Sequence, residues 1–181
     1  VVRRVRCLAY DLLLATYRGA DGRAYQQLRA ALERLQGTVI TTNVTTGDEE
    51  IFDGFGLIDR FRIVRETRDG RMQDIEITLS DWVFNAMEAR EVLTLHRDYF
   101  RLRKPLERRL YELARKHCGA QAEWRIGLEK LRLKCGSTSS PKEFRRMVRR
   151  VAEEDAAHAH LPDYAMTFDP ARDMITFRSR G

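Results

Sequence analysis

Lysine is absent from the first 90 residues of this 181-residue chain, and the whole chain contains only three Cys and four Pro. Three distant cysteines without CxxC spacing argue against a disulfide framework and for a reducing cytoplasm. No apolar run approaches the roughly 20 residues that a membrane-spanning helix needs, so we expect no membrane partner. No signal-peptide pattern opens the chain, and because its first residue is Val1 rather than Met we expect missing upstream residues.

Catalytic and metal-binding motifs are missing as well. The sequence contains no P-loop, no GxGxxG after a strand and no HExxH, and no Cys or Ser lies in a recognisable nucleophile context. His96 near Tyr99 lacks the second histidine that metal-assisted attack of a tyrosine on DNA requires. The remaining potential zinc ligands have no usual spacing: His117, Cys118, Cys135, His158 and His160. We therefore expect a protein that is not an enzyme and holds no metal or cofactor.

Positive charge is concentrated in the second half of the chain. Residues 1–90 contain 13 Arg against 14 acidic residues, whereas residues 91–181 contain 20 basic against 13 acidic residues. Within residues 97–150 the balance is 17 basic to 6 acidic. Such a local excess is typical of a nucleic-acid-binding module, and the nearly neutral first half is a weaker candidate for DNA contact.

The segment 137–153 has the clearest functional pattern. A Ser/Thr cluster followed by Pro141 is typical of a helix start. With about 100° per residue, Phe144, Met147, Val148 and Val151 lie on one arc and the cations lie opposite. Those cations are Lys142, Arg145, Arg146 and Arg149. Such a helix buries one face and offers the other to a polyanion; a solvated amphipathic helix is the alternative.

Both halves have a similar order of predicted elements. The first half predicts helices over 5–17 and 23–36, extended chain over 38–46, a hairpin with strands 57–66 and 73–79, and a short helix from Ser80. The second predicts helices over 105–118, 128–135 and 141–155 and strands over 124–127, 164–168 and 174–178. Helix, strand, helix, helix and hairpin is the order of a winged helix. We therefore predict an α+β chain of two tandem winged-helix domains, residues 1–90 and 91–181.

Several blocks of sequence resemble the plasmid replication initiator protein A family. The first half contains RAYQQLRAALERLQGT, GFGLIDRF and ITLSDWVFNA, and the second contains LTLHRDYFRLRKPLERRLYELARKHCG, WRIGLEKLRLKCGS, KEFRRMVRRV and LPDY. The resemblance implies two winged-helix domains that bind direct repeats (iterons) of double-stranded DNA in a plasmid origin. It also implies origin opening, recruitment of the host helicase and replisome, and a homodimer formed through the first domain.

Candidate DNA contacts occur in both halves. Besides the four cations of the basic helix, the second half offers hydroxyl groups that suit a phosphate and cations that suit the DNA backbone. These are Ser137, Thr138, Ser139, Ser140, Arg101, Arg103, Lys104 and Arg172, with Arg178 and Arg180 beyond them. The first half offers the outward residues of helix 23–36, the polar residues after it and a hairpin tip. These are Arg23, Gln27, Arg34, Thr41, Thr42, Arg68 and Arg71.

Two alternatives stay open. The first half could instead supply a dimer surface, because the exposed edge of its hairpin invites strand pairing. The whole chain could be a winged-helix repressor, which would bind one palindrome as a dimer, whereas an initiator would bind several direct repeats. RNA binding is disfavoured because the aromatic pairs of base-stacking modules are absent.

Overall fold

The computed structural model of the chain describes residues 2–46, 49–65, 72–119 and 121–181. Helices and antiparallel strands are both present, so the predicted α+β class is confirmed. The chain divides into two compact units, Val1–Val92 and Leu93–Gly181. Among the described residues no helix combines the length and apolar character that crossing a membrane requires.

The first unit is built on a three-stranded antiparallel sheet of order β1-β5-β4, beside a separate β2–β3 hairpin. Its core centres on the buried residues Ala9, Leu32 and Ile75. The elements in chain order are β1 (Arg4–Leu8), α1 (Ala9–Ala15), α2 (Gly22–Gly37), β2 (Val39–Thr46), β3 (Glu49–Gly56), β4 (Ile58–Arg65), β5 (Met72–Leu79) and α3 (Asp81–Glu88).

The helix predicted over residues 5–17 is wrong in its first part, because a strand precedes Ala9. Val5 and Cys7 alternate with Arg4 and Arg6, which is the two-residue period of a half-buried strand. Val5 lies opposite Ile77 of β5 and Arg6 lies opposite Glu76. Pairing with β5 therefore decides the structure of a segment that is too short for its period to be read reliably.

The sequence analysis predicts no strand over Glu49–Gly56, yet β3 pairs along its whole length with β2. Acidic residues and glycines are depleted in strands, which hides this one from a propensity argument. The strands of the hairpin predicted over residues 57–79 are confirmed as β4 and β5. Its expected turn at Asp69-Gly70, with Arg68 and Arg71, lies outside the described residues.

The second unit matches its predicted elements in type and order, with bounds that differ by a few residues. Its sheet has the order β6-β8-β7, and its larger core includes the fully buried Tyr111, Phe144, Tyr164 and Phe177. A 3-10 turn (Arg97–Arg101) precedes the regular elements. These are α4 (Pro105–His117), β6 (Glu123–Gly127), α5 (Leu128–Lys134), α6 (Pro141–His158), β7 (Tyr164–Asp169) and β8 (Met174–Ser179).

The two units share a strand–helix–helix–hairpin arrangement. In the first this is β1-α1-α2-β4-β5 and in the second β6-α5-α6-β7-β8, and in each sheet the last strand lies in the centre. The first unit inserts the β2–β3 hairpin after α2, and the second adds α4 before its first strand. By topology, therefore, α2 occupies the place in the first unit that α6 occupies in the second.

Candidate nucleic-acid interface

Helix α6 has the predicted apolar face. Phe144 and Val148 are completely buried and Val151 nearly so, whereas Lys142 and Arg149 are exposed on the opposite side. The helix begins where the Ser140 Oγ accepts a hydrogen bond from the Glu143 N–H at 3.3 Å, with Pro141 as its first residue. Local sequence and core packing therefore both fix which side of α6 faces the solvent.

The four cations of α6 differ in how freely they can reach a ligand. Lys142 and Arg149 have no ion-pair partner among the residues that the structure describes. Arg146 forms two hydrogen bonds with Glu143, at 2.6 and 3.0 Å. The hydrogen bonds and charge of this pair raise the pKa of Arg146 and lower the pKa of Glu143. Lys142 and Arg149 are thus the cations whose charge no neighbour offsets.

Arg145 is attached to the turn of the β7–β8 hairpin. Its Nη2 hydrogen-bonds the Asp173 carboxylate, and its Nη1 donates to the Pro170 carbonyl at 3.3 Å. The guanidinium lies 6.0 Å from the centre of the Phe168 ring. Asp173 has a left-handed backbone (φ 50°), and its carbonyl accepts from Leu128 N–H at 2.8 Å. Through these contacts Arg145 holds the hairpin turn against α6.

A groove runs between the start of α6, the start of α5 and the hairpin turn. It brings together Lys142, Arg145 and Arg172, which the sequence predicts as DNA contacts, and Lys130, which it does not. Arg172 projects from the turn with 84% of its side chain exposed. A neighbouring depression along α6 is lined by Ser140, Arg146 and Arg149. The predicted cations of the helix and of the hairpin turn therefore form one continuous surface.

The hydroxyl residues before α6 are partly committed to the fold. Ser140 caps the helix, and Ser137 Oγ accepts from Ser139 N–H at 3.3 Å. The Ser139 carbonyl accepts from Arg132 at 3.2 Å, which holds the loop against α5. Thr138 is exposed. A phosphate at this end of α6 would therefore meet an ordered loop.

The cations before α4 are placed differently from those of α6. Arg101 pairs with Asp98 at 3.2 Å, while Arg103 is exposed. Lys104 Nζ lies 2.6 Å from Glu107 and 3.3 Å from Glu154. Of these three predicted contacts, Arg101 and Lys104 both have a carboxylate partner within the protein.

Lys104 belongs to a polar cluster with Glu107, Glu154 and His160. Three of its members, Glu107, Glu154 and His160, lie close enough to hold a metal ion, but the Lys104 ammonium contacts both carboxylates. Burial would raise the pKa of Glu107, but the hydrogen bonds from Lys104 and the nearby His160 ring outweigh burial, so that the pKa is lowered. A cation of the chain thus already occupies the place between the two carboxylates.

Lys104→Ala is expected to lower the free energy of unfolding by about 1–3 kcal/mol at neutral pH, because the buried Glu107 carboxylate loses its cation. A carboxyl group whose pKa is lower in the folded state than in the unfolded state stabilises the fold at pH values above its unfolded pKa, about 4.3. This stabilisation is lost as the pH falls through the pKa of the folded state. The deficit should therefore shrink below about pH 4 in urea denaturation. Arg103→Ala, an exposed neighbour with the same charge change, is the control, and an equal deficit in it would contradict the assignment.

In the first unit, the predicted residues of α2 share an exposed face. Arg23, Gln27 and Arg34 are all exposed, and the helix begins where Asp21 accepts from Ala24 N–H at 2.8 Å. Thr41 and Thr42 are neighbours in β2, opposite Gly54 and Asp53 respectively. Their side chains therefore point to opposite faces of the hairpin and cannot bind one phosphate together.

The arginines of β1 and Arg3, which precedes it, are paired with carboxylates of the first unit. Arg4 of β1 lies 3.7 Å from Glu76 of β5, and Arg6 of β1 hydrogen-bonds Asp74, which is also on β5. Arg3 pairs with Asp81 at 2.9 Å and also with Asp59. Pairing thus neutralises the arginines of β1, in contrast to Lys142 and Arg149 of α6.

The comparisons with known proteins identify the family. Residues 1–166 match the family model described as replication initiator protein A. The chain belongs to the replication initiator protein A family. A protein of Wigglesworthia glossinidia brevipalpis whose name describes it as a replication protein is 40% identical over 174 residues. The match covers 94% of this chain and 62% of that relative, so the chain spans less than two thirds of the relative's length.

The fold of this replication initiator protein A family member is similar to that of domains 2 and 3 of RctB. One crystal structure of those domains matches with a TM-score of 0.75 at 14% identity, over 99% of this chain and 75% of that chain. A second matches with a TM-score of 0.68 at 14% identity, over 97% and 75%. At this identity the similarity concerns the fold alone.

The sequence analysis missed a buried network in this family member. The Asp155 carboxylate accepts from Leu161 N–H at 2.7 Å, from Met166 N–H at 2.8 Å and from Arg180 at 2.9 Å. Arg180, a possible DNA contact by sequence, therefore completes the core. One signal was available: Asp155 follows Val148 and Val151 on the buried arc of α6, where an unpaired carboxylate would be costly.

Proposed function

We propose that this chain is the DNA-binding part of a plasmid replication initiator, which binds direct repeats in an origin, promotes its opening and recruits the host helicase. Membership of the family supports the role in replication. The observation that carries DNA binding concerns two cations of α6, Lys142 and Arg149, which have no ion-pair partner among the described residues. Both lie on the exposed face of the helix, and its opposite face is buried in the core. We propose neither a catalytic activity nor a membrane partner for the chain, and we propose that it acts in the cytoplasm.

In this proposal the second unit acts as a winged helix. Helix α6 enters the major groove, and the β7–β8 hairpin is the wing that places Arg172 on the backbone. The cations of α6 all precede residue 151, whereas Glu153 and Glu154 follow. The N-terminal part of α6 therefore faces the bases, as in other helix-turn-helix proteins. Arg149 suits guanine through paired hydrogen bonds, and Lys142 suits phosphate as a point charge.

The first unit is proposed as a second winged helix with a smaller share of the binding. Its α2 has the topological position of α6 but exposes only Arg23, Gln27 and Arg34 of the predicted contacts. The arginines of its strand β1 are neutralised by pairing. It would add weaker contacts to a neighbouring segment of DNA, and it is also the proposed surface for a homodimer.

The proposal is tested by fluorescence anisotropy at near-physiological salt. One duplex carries the direct repeats of the parent plasmid's origin, a second carries a scrambled sequence, and a third carries one palindrome from the promoter. We expect tight binding to the repeats and weak, strongly salt-dependent binding to the scrambled duplex. Equal binding to all three would contradict sequence recognition, and a preference for the palindrome over the repeats would indicate a repressor.

Arg145 is expected to act on DNA through the hairpin turn. Arg145→Ala should weaken DNA binding by about 1–3 kcal/mol, because the turn that carries Arg172 loses the hydrogen bonds that hold it to α6. Asp173→Asn, which tolerates the left-handed backbone, should weaken binding too, although it removes a negative charge. The double variant should cost no more than either change alone. If Asp173→Asn binds at least as tightly as wild type, Arg145 contacts DNA directly.

A further inference from the structure

A second basic depression adjoins the groove of α6. It is formed by β6, α5 and the end of α4, and its lining includes His117, Trp124, Arg125, Lys130 and Lys134. Lys130, Gly127 and Met174 also line the α6 groove. The two surfaces are therefore continuous, although the sequence analysis assigns none of these residues to DNA.

The charge of this depression is largely unopposed. Lys130 and Lys134 lie four residues apart on α5, hence on one face, and neither has an ion-pair partner among the described residues. Arg125 lies 2.6 Å from Glu123, but that carboxylate also pairs with Arg178 at 3.3 Å. Glu129, the nearest acid on α5, pairs with Arg132 at 2.7 Å. The surface thus keeps a net positive charge with two free ammonium groups.

Its aromatic residue does not suit the stacking of a base. The Trp124 ring stacks with His117, with centroids 4.7 Å apart, and with Phe177, with centroids 5.3 Å apart. Both interplanar angles are below 30°, so the indole is already stacked with two neighbouring rings. A site for single-stranded DNA needs an open aromatic face. The chemistry that remains is that of cations, which bind phosphates.

We propose that Lys130 and Lys134, with Arg125 beside them, form a second phosphate-binding surface that holds the backbone of the same duplex beyond the segment contacted by α6. The inference rests on the proposed function, since it extends that DNA path. The two lysines are about 6 Å apart along α5, close to the rise of two nucleotides of one strand at 3.4 Å each. Continuity with the α6 groove makes one duplex, rather than a separate polyanion, the ligand.

The test compares two duplexes: one limited to the repeat and one extended by a helical turn of unrelated sequence on each side. The double variant Lys130→Gln/Lys134→Gln should bind the extended duplex more weakly than wild type and the short duplex equally well. Loss of two phosphate contacts should reduce the salt slope by about 1.8, so that the advantage of wild type falls about tenfold between 50 and 200 mM salt. Arg60→Gln/Arg62→Gln, exposed on β4, is the control with the same change in net charge.

A second readout does not depend on affinity. Burial, then the charges of Lys134 and Lys116, lower the pKa of His117. Phosphates beside Lys134 would offset that charge, so NMR titration should show a higher pKa for His117 on the extended duplex than on the short one. The ring signals of His160, which lies next to Glu107, should not change between the two complexes.

The possible outcomes separate the inference from the proposed function. If the lysine variant matches wild type on both duplexes, or loses equally on both, the second phosphate surface is disproved while repeat binding by wild type stands. If wild type does not prefer the repeat to a scrambled duplex, the proposed function fails and this inference fails with it. Both lysines are exposed and unpaired, so thermal unfolding of the variant should match that of wild type.

Discussion

Asp155→Ala is expected to destabilise the second unit by about 3–5 kcal/mol, the range for removing one partner of a buried ion pair. The carboxylate is 1% exposed and accepts hydrogen bonds from two backbone N–H groups and from Arg180. Alanine would leave those donors without an acceptor in the core. The measurement is urea denaturation of the whole chain, followed by the fluorescence of Trp124, the tryptophan of this unit.

Two matched variants separate this effect from a general change of charge. Glu153→Ala removes one carboxylate from an exposed position of the same helix and should change stability by less than about 0.5 kcal/mol. Arg180→Ala should cost less than Asp155→Ala, because the carboxylate keeps its two backbone donors. A loss below about 1 kcal/mol for Asp155→Ala would mean that the network does not hold β7 to α6.

The second unit was predictable because local and tertiary signals agree there. Helices α4 and α6 have wide apolar arcs and begin at Pro105 and Pro141, and Gly119 and Gly136 follow α4 and α5 with φ values of 54° and 64°. These positive φ values are the conformation that favours glycine after a helix. The facing of α6 followed from the same helical period.

The first unit was less predictable because pairing partners decide its structure. β1 is five residues long and continues directly into α1, so its two-residue period is hidden beside a helical one. β3 contains acidic residues and two glycines, and it forms a strand because β2 is available to pair with it. Both depend on contacts between residues far apart in sequence.

Charge counting identified the candidate interface but could not rank its cations. Arg145, Lys104 and Arg180 look equivalent to Arg149 in a sequence, yet each is bound to a carboxylate in the folded chain. The free cations Lys130 and Lys134 were not singled out, because α5 has no apolar arc long enough to show which side is exposed. Only the fold shows which charges are left for a ligand.

Lys142→Ala combined with Arg149→Ala is expected to weaken binding to the repeat duplex by about 2–4 kcal/mol, roughly 30- to 1000-fold. The two changes should act differently. Arg149→Ala removes a planar donor pair suited to guanine, so the loss should be larger on the repeat than on random DNA. Lys142→Ala removes a point charge, so the loss should be similar on both and the salt slope should fall by about 1.

Arg146→Ala is the matched control, because Arg146 lies on the same helix but is paired with Glu143. Its effect should be smaller than that of Arg149→Ala, since the Arg146 guanidinium is already held by Glu143 and is less available to DNA. A larger effect would show that DNA competes successfully with Glu143 for the guanidinium. If Arg149→Ala weakens binding equally on repeat and random duplexes, α6 serves as a phosphate clamp and base recognition must come from the first unit, where Arg23 and Gln27 on α2 become the residues to change.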